Sequence, residues 1–444
     1  MERLRYRLLR ANSGALHWVR RRFTPAGRLI LGALAASAVL GLDTTQSMAY
    51  QSFTFLCALA ALSIAAALFL RASFTVERVL PRFGTAGQPL PYALLVRNTG
   101  TRTWRGRTLR EEVADPRPSW AEFQAARSAE DGSLHWMDRF LGFSRWRRLV
   151  RMRSVAAVAD VALPDLPPGA SCEASAQLVP ARRGRFLLSG VSIAQPDPLG
   201  VFNSVTTQGG EQTVMILPRR YPVGRPTLPG ARRYQQGGVA FASSVGESQE
   251  FVSLREYRPG DPLRKIHWRS WAKTGKPMVR ENQDEYFVRH ALILDTFLGS
   301  GREALFEEAV SVAASFAASV LTQESLLDLL FVGDRTFCLT VGRGLGGVEG
   351  MLEILACVEP CPGKSFSELR QSVLLRRPLM SGCIAVLLGC DEPRRELISA
   401  LRASQVPVLP LVLVDPAAGE APAAEDGSIR LELGKVAQGV ARLP

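Results

Sequence analysis

The sequence predicts a multi-domain chain: an N-terminal transmembrane helical hairpin, a β-sandwich-like domain, and then an α/β domain with a mainly parallel sheet. Three observations predict it. Two long apolar runs lie near the start, a middle region consists of short β-prone runs broken by Gly, Pro and Asn, and a C-terminal region alternates strand-length and helix-length apolar segments. The 444 residues leave room for two or three domains and ample core. A net charge of +13 favours anionic surroundings, and its distribution decides which kind.

Residues 1–28 form a basic leader with eight arginines against one acid, Glu2, which is a membrane-flank pattern. The apolar runs Leu29 to Leu42 and Phe53 to Leu70 follow, separated by a polar turn at Asp43, Thr44, Thr45 and Gln46. The second run has 18 residues without a charge, about enough to cross a ~30 Å hydrocarbon layer. The first reaches spanning length only by including Arg28, which can snorkel, and Asp43 near the far interface. Two crossings over residues 29–70 return the chain to the side of its leader, so the leader and everything beyond Arg71 are expected to be cytoplasmic. The rival is a signal peptide, with Ser47, Met48 and Ala49 imitating a cleavage site. The long basic lead and the second apolar run argue against it.

Residues 74–220 are expected to be β-rich, with strands at Tyr92 to Arg97, Ser171 to Pro180, Arg185 to Ser192 and Thr213 to Leu217. A Trp- and Arg-rich insert near 119–153 has amphipathic helical spacing. It is either a helical elaboration of the domain or, through Trp146 to Leu149, a lipid-surface helix. Residues 221–245, rich in Gly, Pro, Gln and Arg, read as a linker. From 287 to 444 the predicted order is a strand to Thr296, a helix over Arg302 to Leu321, strands at Leu326 to Val332 and Thr336 to Val341, and a helix over Val348 to Val358. A strand at Cys383 to Leu388, a helix over Glu392 to Ser404 and a strand at Val408 to Val414 complete it. Such alternation implies a mainly parallel sheet with helices on both faces.

The segment 246–286 restricts function most, because it holds eight cations and two tryptophans directly before an apolar strand. Asp261 and Pro262 read as N-cap and first helical position, Gly275 as the stop. The helix between would place Lys265, Arg269 and Lys273 in one row. Like charges in a row call for an acidic counterpart, either internal (Glu250, Glu256, Asp261 and Glu281) or external.

The runs Gln249 to Phe251, Leu254 to Tyr257, Pro259 to Asp261, Ile266 to Trp268 and Ala272 to Gly275 resemble the signature of domain-of-unknown-function family 58. That resemblance implies two membrane segments in a bacterial inner membrane, a β-rich region, this signature and a von Willebrand factor A-like domain. It also implies association with MoxR-type AAA+ ATPases, with no established reaction. The signature residues expected to meet a partner are Glu250, Arg255, Tyr257, Asp261, Arg264, Lys265, His267, Trp268, Arg269 and Lys273.

A von Willebrand A-type metal site needs Asp-x-Ser-x-Ser after the first strand, since hydroxyls and carboxylates ring a hard cation. Here the run is Asp295-Thr296-Phe297-Leu298-Gly299, with both serine positions lost. Asp295 and Asp391 remain as candidates for a degenerate site; the alternative is that they cap helices or bond loop amides. No cofactor is expected. The run Gly342 to Gly347 matches G-x-G-x-x-G but follows an expected edge strand, and no acid stands about twenty residues on. It reads as a turn. Cys357 and Cys361 lack a second pair to complete a zinc set. His267 beside Trp268 reads as a packed residue.

The expected function is that of a membrane-anchored cytoplasmic adaptor, a non-enzyme, working with a MoxR-type ATPase in assembly or maturation of a client complex. Two alternatives stay open. One is a metal-dependent hydrolase using Asp295, His267 and Asp391; the other is nucleic-acid binding through the basic segment, which lacks a known reading motif.

Overall fold

A computed structural model describes residues 2–40, 47–70, 72–126, 142–153, 156–224, 251–259, 261, 263, 266–282, 288–298, 302–319, 325–342, 347–361, 363–416 and 427–443. The chain divides into two compact units, Met1–Arg219 and Arg220–Pro444.

The first unit opens with helices α1 (Glu2–Arg22), α2 (Pro25–Leu40) and α3 (Ser47–Leu68). The basic leader is thus a regular helix. Glu2 in its first turn and Arg20 to Arg22 in its last both complement the helix dipole. Its Tyr6 is buried against Phe123 and Trp146, and donates a hydrogen bond to the Pro118 carbonyl at 3.0 Å. The α1–α2 junction is pinned. The Phe23 ring meets Phe202 edge-on at 5.0 Å, Thr24 Oγ1 bonds the Gly200 carbonyl at 2.5 Å, and Arg21 pairs with Glu112. Helices α2 and α3 lie against each other. Among the described residues one helix, Met48–Leu68, is long and apolar enough to cross a membrane; its 21 residues span about 31 Å at 1.5 Å per residue.

Nine strands follow: β1 (Phe74–Val79), β2 (Phe83–Thr85), β3 (Leu90–Asn98), β4 (Thr108–Val113), β5 (Ala156–Val158), β6 (Val161–Ala162), β7 (Ser171–Pro180), β8 (Gly184–Pro196) and β9 (Asn203–Leu217). They form two sheets, ordered β1-β3-β7-β5 and β2-β9-β8-β4-β6. Every second residue of β3 and β7 faces inward, as the two-residue period of a half-buried strand requires. Leu94, Val96 and Leu178 from one sheet meet Leu188, Ile193 and Ile216 from the other in a single core. A buried ion pair, Arg78 Nε to Glu111 Oε1 at 3.1 Å, ties β1 to β4. The insert holds α4 (Trp120–Ala125) and α5 (Phe143–Arg153), with 127–141 outside the described residues. Trp146 is buried with Tyr6 and Phe123, so of the two readings of the insert its tryptophan follows the first, packing in the domain rather than facing lipid.

The second unit opens with β10 (Phe251–Glu256), α6 (Trp268–Thr274) and β11 (Met278–Asn282), with β10 and β11 antiparallel. Helix α6 starts at 268, not 261. Its would-be cap Asp261 is gripped instead by both Arg255 guanidinium nitrogens, each at 2.7 Å. Ile266 bridges Val279, and the His267 N–H bonds the Met278 carbonyl, so the chain there joins sheet rather than helix. The stop falls where expected, with Gly275 left-handed at φ 69. Tyr221, the first residue of the expected linker, is buried and its N–H bonds Ser315 at 2.8 Å. The rest of that linker from 225, and Glu250, Arg264 and Lys265, lie outside the described residues.

The remaining elements are β12 (Val288–Leu294), α7 (Glu303–Ser319), β13 (Ser325–Val332), β14 (Thr336–Val341), α8 (Val348–Cys357), α9 (Phe366–Arg376), β15 (Gly382–Leu387), α10 (Glu392–Ala403), β16 (Val408–Val414), β17 (Ile429–Glu432) and α11 (Val436–Ala441). The sheet order is β14-β13-β12-β15-β16-β17. Every neighbouring pair is parallel except β13 with β14, the edge strand. Helices α9 and α10 cover one face, in a core with Ala291, Ile293, Ala385 and Leu387. Leu292, Leu294, Ile384 and Val386 alternate with these and are as fully buried, so both faces are covered. Helix α7 packs on β12, β15 and β16.

Candidate functional site

Strand order reverses between β12 and β15, and in an open α/β sheet the crevice beyond the strand C-termini at such a point is where ligands bind. A cleft of about 490 Å³ opens there, lined by Phe297, Arg302, Cys390, Asp391, Arg394, Arg395 and Arg430 among others. At its base Asp295, at the end of β12, is fully buried. Its carboxylate accepts from the backbone N–H groups of Phe297 (3.0 Å) and Leu388 (2.9 Å) and from Arg394 Nε (2.6 Å).

Arg394 sits in the first turn of α10, on the same buried face as Leu397, Ile398 and Leu401. Its second branch bonds Asp391, and its third donates to the Phe297 carbonyl at 3.0 Å. The guanidinium carbon lies over the Phe366 ring, 5.1 Å from its centre. The two candidate metal-binding carboxylates, Asp295 and Asp391, are therefore brought together, and the positive charge between them is a guanidinium. Asp391 also caps α10 by accepting from the Arg394 N–H at 3.4 Å. The expected alternative, capping and loop-amide bonding, is what the geometry contains.

Burial pushes the Asp295 carboxyl above its ordinary range, while Arg394 and the two backbone donors pull it back. Among the described residues three donors and no acceptor face it, and these contacts favour the carboxylate form. Burial works against the Arg394 charge as well, but the carboxylates of Asp295 and Asp391 outweigh it and raise its pKa. The Thr296 hydroxyl, one position out of register for a von Willebrand A-type metal site, donates to the Val332 carbonyl at 2.5 Å. Among the described residues no group of three or more His, Cys, Asp or Glu could hold a metal ion.

The signature segment is partly internal in its bonding. Arg255 holds Asp261, whose pKa falls to about 2 through that hydrogen bond and the Arg258 N–H, and Lys276 pairs with Glu256 at 2.9 Å. The Tyr257 N–H bonds the Pro277 carbonyl. His267 Nδ1 shares a hydrogen bond with Ser270 Oγ at 2.7 Å. Arg269 and Lys273 remain exposed on α6, beside Trp268, which is 64% exposed and stacked on Trp271 at 5.2 Å. Of the glycine run, 343–346 lie outside the described residues, and the preceding β14 is the expected edge strand.

A second cleft, about 850 Å³, lies in the first unit and includes His17, Arg21, Arg110, Glu112, Asp115 and Arg117. Its charges are largely matched within the domain, Arg21 with Glu112, Arg110 with Asp160 and Arg117 with Asp115. Burial lowers the His17 pKa, and Arg21 and Arg117 add to that.

Comparison with known proteins gives distant matches. The uncharacterized protein YeaD of Bacillus subtilis (strain 168) is 24% identical over 253 residues, 53% of this chain, and the chain spans 62% of that relative's length. Among solved structures, the CARDB domain of a Pyrococcus furiosus protein, determined in complex with di-metal ions, is 13% identical with a TM-score of 0.17, covering 33% of this chain and 93% of that one. The ASH / PapD-like domain of human CEP192 is 8% identical with a TM-score of 0.19, covering 33% and 86%. At these scores the structural likenesses carry no argument about fold or activity. Residues 253–437, which contain most of the signature segment, the six-stranded sheet and the Asp295–Arg394–Asp391 cluster, match the model of the family described as protein of unknown function DUF58.

Proposed function

We propose that this protein is a membrane-anchored, cytoplasmic interaction protein whose C-terminal unit is of the von Willebrand factor A type with an arginine in place of the metal. The observation that carries it is the Met48–Leu68 helix. It is 21 residues long, Phe55, Leu62 and Leu68 stand exposed along it, and its length fits a ~30 Å hydrocarbon layer. Helix α2 beside it would complete a hairpin that keeps α1 and the later domains on one side.

The von Willebrand A reading is supported by a six-stranded sheet whose sole antiparallel pair places β14 at the edge. With Arg394 supplying the cation, a partner would meet arginines rather than a metal at the strand edge, and acidic groups suit Arg302, Arg395 and Arg430 there. Trp268, Leu263, Arg269 and Lys273 offer an exposed aromatic and cationic patch of the kind that dominates protein interfaces. The resemblance of the signature suggests a MoxR-type AAA+ ATPase as the partner. The metal-dependent hydrolase loses ground because a guanidinium already bridges its two carboxylates, and nucleic-acid binding has no further observation in its favour.

Alkaline extraction of one membrane sample, and affinity capture from a second, gently solubilised one, test this. The full chain should stay in the membrane pellet and recover an ATPase, and Trp268→Ala with Arg269→Glu should lose the ATPase while keeping the unfolding temperature. A chain released by alkali, or capture that is indifferent to both changes, counts against the proposal.

A further inference from the structure

We infer that α1 is an interfacial helix that lies in the headgroup layer of an anionic bilayer, with Leu4, Leu8, Ala11, Ala15 and Trp18 dipping toward the acyl chains. The inference rests on the anchoring proposed above. At about 100° per residue, these five positions fall within an arc of roughly 80°. All five are exposed, and the large ones strongly so: Leu4 and Leu8 at 62%, Trp18 at 51%.

The opposite face of the same helix is already occupied. Tyr6 and Leu9 pack on the aromatic cluster of the insert, and Ser13 and His17 line the polar cleft of the first unit. Leu4, Leu8, Ala11 and Ala15 are therefore not the helix's own core contact, while Trp18, half exposed, meets the Phe23 and Phe202 rings at 6.0 and 6.2 Å and so ties the end of the stripe to the α1–α2 junction; α1 is not a loose leader. Phe23 and Thr24, which alone separate α1 from α2, are clamped on the Gly200 to Phe202 segment. The Trp18 end of α1 thus lies next to the root of the apolar helices, at the depth where a bilayer surface would be.

Charge selects the occupant. Seven arginines lie on α1 against Glu2 alone; exposed Arg7 borders the stripe, and Arg3 on the same side lies over the Trp120 ring. A weakly hydrophobic helix with an apolar stripe, a cationic border, a net positive charge and an interfacial tryptophan fits lipid headgroups of negative charge.

The test uses the full chain in vesicles of phosphatidylcholine with phosphatidylglycerol, carrying photoreactive p-benzoylphenylalanine in place of Leu8, Ser13 or Leu62. After irradiation, mass spectrometry identifies the adducts. Lipid adducts at position 8 should exceed those at 13 severalfold, and Leu4→Glu with Arg7→Glu should cut them severalfold while leaving those at 62 unchanged. Lipid adducts at 62 but not at 8, or protein adducts at 8, overturn the interfacial helix and leave the anchor intact. Lipid adducts at 8 but not at 62 support the helix and overturn the spanning anchor. Absence at both positions overturns both.

Discussion

Replacing Arg394 with methionine removes the positive charge that, among the described residues, pairs with the fully buried Asp295 carboxylate. Methionine keeps an unbranched apolar side chain of similar length but removes the guanidinium, with its charge, its hydrogen bonds and its place over the Phe366 ring. Two backbone N–H donors stay on Asp295, but the ion pair is gone, and breaking a buried pair by removing one partner costs about 3–5 kcal/mol. The bond to Asp391 adds little, because that carboxylate's side chain is 53% exposed and solvent screens it. For a unit of this size such a loss corresponds to roughly 6–20 °C in unfolding temperature.

Calorimetry of the detergent-solubilised full chain reads this as a downward shift of the transition of the second unit. The double change Asp295→Asn with Arg394→Met should recover much of the loss, since it removes both buried charges. Mg²⁺ should stabilise the Arg394→Met protein and not the wild type, because the vacated space lies between two carboxylates. A loss below about 1 kcal/mol, or strictly additive effects in the double variant, would refute the assignment of Arg394 as the built-in cation.

Three further outcomes are expected. Arg78→Met should cost about 3–5 kcal/mol in the sandwich, because it strands Glu111 in the core; chemical denaturation followed by tryptophan fluorescence measures it, and a neutral result would remove the pair from the stabilising set. Asp261 should titrate near 2 rather than its ordinary 3.8. Being depressed on folding, its contribution is present above pH 3.8 and fades as pH falls through about 2; a carboxyl titration by NMR with a midpoint at the ordinary value would contradict the Arg255 grip. Gly275→Ala forces a side chain into left-handed backbone at φ 69 and should destabilise α6 by about 1 kcal/mol, read as faster amide exchange in that helix.

Local pattern was legible where one element carries its own period. Residues 171–180, 336–341 and 408–414 were expected as strands and are strands with those bounds. The C-terminal helix α11 and strand β17 were not anticipated, being six and four residues long. Helix α9 was missed too, although Phe366, Leu369 and Val373 mark its buried side. Strands β10 and β11 are rich in charge and form a two-stranded sheet, with a single further bridge from Ile266 to Val279, so no run of apolar residues announced them. The helix start at Asp261 failed for a physical reason: a carboxylate six residues from an arginine had a stronger partner than orphan amides.

The sequence by itself determined the order of apolar helices, β-rich region and α/β region, the stop at Gly275, and the loss of both serines after Asp295. It also held an unread signal, an arginine at 394 on the face that Leu397, Ile398 and Leu401 make apolar, and an arginine so placed demands a buried acid. Only the tertiary structure decided which acid. Asp295 and Arg394 lie 99 residues apart, and it is the parallel pairing of β12 with β15 that sets the end of one strand beside the first turn of α10. The outward stripe of α1 likewise became visible only when Tyr6 and Phe23 fixed which side of the helix the domain takes. Periodicity is a property of neighbours along the chain, whereas partners for buried charge and uncovered faces are settled by what packs around them.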